Sequence, residues 1–278
     1  MRRVPIVAYH SVSDEVGGEL GPYTLAPRLF NEHMAYLRDE GYVAYSVSGL
    51  IAALDAGVDL PAKPVAITFD DAFADFEPNA VPVLSKHGFV ATLYVATGYI
   101  GGESAWLNRT PQDRRRMLTA QQLRRLPNVG IECGAHSHTH PELDRLPRRL
   151  LEREACWPKH LLEELLERPV SSFAYPFGYY DGRVRAAVRD AGYQSACATG
   201  DVMGSPSADR LALPRFIVKS GATVEDLARL LDRPASATAL QRTRAKEAVW
   251  RMMRRLGRGD GGRQKAESAV PHPHAMGK

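Results

Sequence analysis

Three kinds of feature are scarce in this 278-residue chain, and each scarcity narrows the reading. There are only three cysteines, Cys133, Cys156 and Cys197, an odd number at wide spacing, which argues against a disulfide framework and offers no paired thiolates for a structural zinc. No apolar run is long enough to cross a bilayer, and the opening stretch Val4–Tyr9 is too short for the core of a secretory leader, so the expected location is cytoplasmic. No GxGxxG or GxxxxGK[ST] follows any strand-like segment, which removes the usual nucleotide fingerprints and weakens the case for a doubly wound open sheet.

The formal net charge of +4 is unevenly spread. Residues 233–278 hold 11 Lys/Arg against 3 Asp/Glu, a net of +8, which leaves residues 1–232 at −4. The expected organisation is therefore a folded domain over 1–232 and a basic tail over 233–278. Ala239–Leu256 has the spacing of one amphipathic helix, with Val249, Met252, Met253 and Leu256 on a common face among arginines. Such a tail suits contact with an anionic membrane surface, and nucleic acid is not expected. The final stretch, rich in Gly, Arg and Pro, reads as disordered.

Within 1–232, short apolar runs rich in β-branched and aromatic residues alternate with longer amphipathic segments. Eight strands are predicted, at Val4–Tyr9, Val43–Ser46, Val65–Phe69, Phe89–Val95, Val129–Cys133, Ser171–Tyr175, Tyr193–Ala198 and Leu213–Val218. Helices are predicted between them, several stopped by a glycine, as at Gly41, Gly57, Gly88 and Gly192. This βα repetition predicts an α/β fold, a distorted (β/α)7-8 barrel, in which polar residues just past the C-terminal strand ends converge on one face. Those ends carry His10, Asp70-Asp71, His136 to His140, and Tyr175-Pro176-Phe177-Gly178.

Asp70 and Asp71 end an apolar strand, and two buried carboxylates require a cationic partner. His136-Ser137-His138-Thr139-His140-Pro141 places three histidines in five residues; read as a helical turn, the spacing puts His136 and His140 on one face. One carboxylate and two histidines form the ligand set of catalytic zinc with a position left open, and would also suit non-haem iron.

These two motifs, in this order, resemble the polysaccharide deacetylases that share the NodB-homology domain, carbohydrate esterase family four. The resemblance runs from about Val4 to Leu231. It implies a metal-dependent hydrolase, usually zinc-loaded, that removes acetyl from an N-acetylated amino sugar. Asp70 matches the catalytic base, and Asp71, His136 and His140 match the metal ligands. Tyr175-Pro176-Phe177-Gly178 aligns with the third motif, Arg-x-Pro-Tyr-Gly, which gives the Phe177 backbone N–H the oxyanion role.

Four departures stand out. Ala174 replaces the third-motif arginine, Ala72 replaces the glycine after the Asp pair, the fourth-motif tryptophan is missing, and so is the late Leu-x-His that supplies a general acid. His10 is the replacement at the end of the first strand, as in the subgroup acting on poly-N-acetylglucosamine, where the motif order is permuted. Arg215 is a candidate partner for Asp70. Tyr9, Trp106, Tyr175, Phe177 and Tyr179 are candidates for stacking on a sugar ring. A non-catalytic glycan-binding or scaffolding barrel and a hydrolase of a non-sugar amide remain as alternatives, and with a sugar as substrate the basic tail also suits a partner glycosyltransferase.

Overall fold

The computed structural model describes residues 4–15, 17–107, 110, 113–199 and 209–232. The predicted tail helix and the basic stretch from 233 onward lie outside these residues.

Ten strands form in chain order: β1 (Ile6–Tyr9), β2 (Ser11–Val12), β3 (Thr24–Leu25), β4 (Val43–Tyr45), β5 (Pro64–Phe69), β6 (Ala91–Val95), β7 (Ile131–Ala135), β8 (Ser172–Ala174), β9 (Ser195–Cys197) and β10 (Phe216–Ile217). Among the described residues seven α-helices accompany them: α1 (Pro27–Asp39), α2 (Val47–Asp55), α3 (Val81–His87), α4 (Ala120–Arg125), α5 (Arg148–Leu166), α6 (Gly182–Asp190) and α7 (Val224–Leu231). Their ends follow local chemistry. Ser46 caps α2 by accepting from the Gly49 N–H, Asp181 caps α6, and Thr223 with Asp226 makes a capping box on α7. Gly88 ends α3 at φ +71, the left-handed conformation that glycine adopts without a Cβ penalty.

The main sheet is parallel throughout and runs β10-β1-β5-β6-β7-β8-β9, with β4 pairing the first half of β5. The sheet curls until its two ends meet. Leu213 bridges Cys197 of β9, and three residues later Phe216 pairs Val7 of β1. The result is a distorted barrel in which the chain from Leu213 to Ile217 forms the seam.

Inward-facing Ile6, Ala66, Tyr94, Ala174, Cys197 and Leu213 pack with Val47, Leu50 and Ile51 of α2. The N-terminus of α2 sits over the half-buried Glu132, whose carboxylate accepts from the Ser48 N–H and from the hydroxyls of Ser48 and Thr92. Outward-facing residues such as Val7, Ile67, Leu93 and Phe173 meet the surrounding helices in the larger core. Gly134 is required by close approach, because a Cβ there would lie 2.6 Å from the Tyr94 ring that fills the barrel.

Each predicted strand is present, its ends differing by up to three residues; the one placed at Val129–Cys133 is Ile131–Ala135, and the one placed at Leu213–Val218 pairs only over Phe216–Ile217. The predicted helix that Gly88 stops begins as a π-turn over Phe76–Ala80 before α3. The two-residue pair β2–β3 carries too little periodicity to be read from sequence. Among the described residues, no helix is long and apolar enough to cross a membrane.

Candidate active site

Asp70 and Asp71 leave the end of β5 through a turn in which Asp71 and Ala72 both adopt positive φ, +76 and +69. Ala72 stands where the family pattern has glycine, and this backbone conformation explains that preference. The turn sends the two carboxylates in different directions.

Asp71 points to the histidines. Its Oδ1 lies 3.4 Å from His136 Nε2 and 3.2 Å from His140 Nε2, all three side chains being buried. These three donors are the only set among the described residues with metal-ligand geometry, their ligand atoms lying within 4.8 Å of one another. His136 Nδ1 donates to the Ala174 carbonyl at 2.8 Å, which fixes the tautomer and leaves the Nε2 lone pair facing Asp71. Asp71 Oδ1 is buried and accepts no hydrogen bond, a costly arrangement that a cation at this point would relieve. The residues present therefore fit a divalent metal with one carboxylate and two imidazoles.

The histidines do not share the face of a helical turn. Residues 136–140 form an irregular loop with Ser137 at φ +61 and His140 at φ +55, and the Ser137 Oγ accepts from the His140 N–H at 3.0 Å. The left-handed residues break any helix, and it is this loop that folds the two imidazoles back toward Asp71. His138 faces elsewhere, with Nδ1 2.9 Å from the Thr97 hydroxyl and its ring against Trp157.

Asp70 takes the other direction and meets Arg215. The guanidinium, fully buried, donates from Nη1 to Oδ1 at 2.6 Å and from Nη2 to Oδ2 at 2.7 Å. It is held by the Ala198 carbonyl, the Thr68 hydroxyl and the face of Tyr94. This arginine enters from the barrel seam and supplies the charge that the third-motif arginine, replaced here by Ala174, does not. His10, at the end of β1, brings its Nε2 to 4.0 Å from Asp70 Oδ2, with its ring against Tyr23.

Charge and burial compete at each group. Burial alone would raise Asp70, but Arg215 and His136 outweigh it and hold its carboxyl below the usual range. Asp71 is likewise opposed by burial and held well below that range by its two histidines. Burial pushes the His10 imidazole down, only partly offset by Asp70 and Asp71. His136 is raised despite its burial by the two carboxylates, whereas burial prevails at His140.

Phe177 lies in the turn after β8 at φ +57, half exposed, its ring edge-on to His140 at 4.7 Å and stacked on Tyr179. Trp106, from the long connection between β6 and α4, stacks on the His140 ring at 4.6 Å. Tyr9 and Tyr175 are instead buried core residues. One participant went unread in the sequence: Glu154 of α5, whose carboxylate receives the backbone of the histidine loop. Its signal is a charged residue on the stripe of α5 that buries Leu151, Ala155, Pro158 and Leu162.

A model of the polysaccharide deacetylase family matches residues 57–196. The Bacillus subtilis protein YxkH is 28% identical over 219 residues, covering 79% of this chain and 72% of its own. The poly-beta-1,6-N-acetyl-D-glucosamine N-deacetylase of Staphylococcus epidermidis is 23% identical over 215 residues, covering 73% and 71%. Among solved structures, the Streptococcus pyogenes deacetylase PplD in complex with acetate superposes with a TM-score of 0.72 at 25% identity, covering 84% of this chain and 99% of its own. With the barrel and the buried Asp-His-His cluster, these likenesses establish that the chain belongs to the polysaccharide deacetylase family, hydrolases of carbon–nitrogen bonds other than peptide bonds.

Proposed function

We propose that this enzyme removes the acetyl group from an N-acetylated amino sugar in a glycan, lipid-linked sugar or sugar-containing metabolite, with zinc held by Asp71, His136 and His140. The observation that carries the reading is the Asp70–Arg215 pair beside that cluster, at 2.6 and 2.7 Å, because it keeps a carboxylate ionised where a base is needed. The same pair answers one of the two departures that favour a non-catalytic barrel, the loss of the third-motif arginine; the other is the missing late histidine.

When bound, the metal supplies a Lewis acid for the acetyl carbonyl and a lowered pKa for the attacking water. Asp70 accepts the proton of that water as its oxygen adds to the carbonyl carbon. The Phe177 backbone N–H is assigned to the oxygen that becomes negative. His10 gives a proton to the departing nitrogen, since an amine anion is too poor a leaving group; burial disfavours the protonated imidazole this requires, and Asp70, 4.0 Å away, acts against that burial. Acetate and a free amine result. The exposed ring of Phe177, stacked on the half-buried Tyr179, offers a surface for the sugar.

Acetate release from N-acetylglucosamine oligomers by zinc-loaded protein tests the reading. Asp70→Asn and His10→Ala are each expected to lower turnover by at least about 100-fold, the usual worth of a positioned acid or base. Unchanged turnover in Asp70→Asn would refute the mechanism, and preference for simple N-acetyl amides over sugars would refute the substrate class.

A further inference from the structure

The loop that carries His136 and His140 is neither helix nor strand, holds two non-glycine residues in the left-handed region, and still must present two imidazoles to one point. Something outside the loop has to fix it. Its backbone groups are satisfied from two sides. The carbonyls of Ser137 and His138 accept from the N–H groups of Thr97 and Gly98, and the Thr139 carbonyl accepts from the Tyr99 hydroxyl. The His136 N–H donates to the Val95 carbonyl and the His140 N–H to the Ser137 hydroxyl, while the donors midway between the two ligands converge on one carboxylate: Glu154 Oε2 accepts from the His138 N–H at 2.7 Å and the Thr139 N–H at 2.8 Å, and Oε1 accepts from the Thr139 hydroxyl at 2.6 Å.

We propose that Glu154 is a positioning residue for the metal site, fixing the separation of His136 and His140 by holding the backbone between them. Three charge-assisted hydrogen bonds to a carboxylate 9% exposed make a stiff anchor. The anchor stands on α5, a 19-residue helix packed against β7, the strand from which the loop departs. Glu154 touches neither ligand side chain, so its effect reaches the metal only through the chain between them. The middle residues of the His-Ser-His-Thr-His run thereby acquire a purpose: Thr139 supplies a hydroxyl to the anchor and His138 fastens the loop to Thr97. Gly98 completes the arrangement, since a Cβ there would lie 2.8 Å from the His138 carbonyl.

This inference rests on the metal site proposed above, and metal affinity separates the two. Glu154→Gln keeps the volume but presents an amide N–H to donors that need an acceptor. Competition with a chromophoric chelator on metal-free protein is expected to show Zn2+ and Co2+ binding weakened by about 10–100-fold, the usual worth of an outer partner of a ligating residue. The visible spectrum of the Co2+ form is expected to change, a readout that loss of general stability would not move. Thr139→Val, which deletes only the hydroxyl contact, covers the case in which Glu154→Gln fails to fold; it is expected to weaken binding by a few fold, and by no more in the double variant than Glu154→Gln does alone. Glu152→Gln, on the solvent side of α5 and paired with Arg148, is expected to leave affinity unchanged. Parent-like affinity and an unchanged Co2+ spectrum in Glu154→Gln, or in Thr139→Val if the former does not fold, would overturn the role of Glu154 alone. A parent protein that binds neither ion would overturn the metal site and this inference with it.

Discussion

Replacing Arg215 by methionine isolates what the buried ion pair contributes. The pair is bidentate and its partners are 0% and 5% exposed, so water cannot replace the lost guanidinium. Removing one partner of such a pair costs about 3–5 kcal/mol near neutral pH, a large part of the 5–15 kcal/mol typical of a domain. In the parent, Asp70 is held below the usual carboxylate range, so its stabilising contribution is complete above the unfolded-state value of about 3.9 and is lost as pH falls through the lower folded value. In Arg215→Met, burial is opposed by the neighbouring histidines alone and the folded pKa rises, so the variant's deficit shrinks in acid and widens toward pH 8. The acid limb of kcat/KM moves upward for the same reason, because Asp70 must be ionised to accept a proton. Urea unfolding at pH 5 and pH 8 measures the first effect and acetate release across pH 5–9 the second. Arg215→Lys, which keeps the charge without the fork, should fall between. A parent-like urea midpoint at pH 8 together with a parent-like pH profile in Arg215→Met would refute the reasoning.

Asp75 responds to pH in the opposite sense. Burial pushes its carboxyl to about 6, only partly offset by the Ser11 hydroxyl at 2.6 Å, so it destabilises the fold above that pH by about 2–3 kcal/mol and has no such effect below about pH 4. Asp75→Asn should therefore raise the urea midpoint at pH 8 and leave it nearly unchanged at pH 4; equal gains at both would contradict burial as the cause. Gly134→Ala forces a methyl to within 2.6 Å of the Tyr94 ring and 2.9 Å of the Ser172 carbonyl, and overpacking of this kind costs about 1–3 kcal/mol, visible as a fall in Tm of about 3–10 °C. Zinc added to metal-free protein at 100 times its Kd should stabilise the fold by about 2.7 kcal/mol, and Asp71→Asn should abolish that gain in calorimetry.

Much of this architecture is legible in the sequence because its causes are local. Apolar runs such as Val65–Phe69 and stops such as Gly88 report strand and helix without knowledge of what they meet. The Asp70-Asp71 pair and the histidine run were legible for the same reason, being short in sequence. The shape of the histidine loop was not, since i, i+4 spacing is shared by a helix and by the left-handed turns at Ser137 and His140. Glu154 lies 15 and 16 residues from the groups it holds, on a helix whose periodicity announces only burial. Arg215 was a candidate from its position, but the pairing of residues 145 apart depends on how the sheet closes, which no periodic pattern encodes.

The barrel seam has a consequence for the order in which the enzyme is made. β1 finds its partner in β10 only after the chain has been synthesised through Phe216, and Arg215 arrives in the same few residues. A nascent chain ending before Leu213 would already hold Asp71, His136 and His140, yet its base would face burial without a counter-charge. On the mechanism proposed above, such a chain is expected to take up metal without hydrolysing substrate, activity beginning with closure of the barrel.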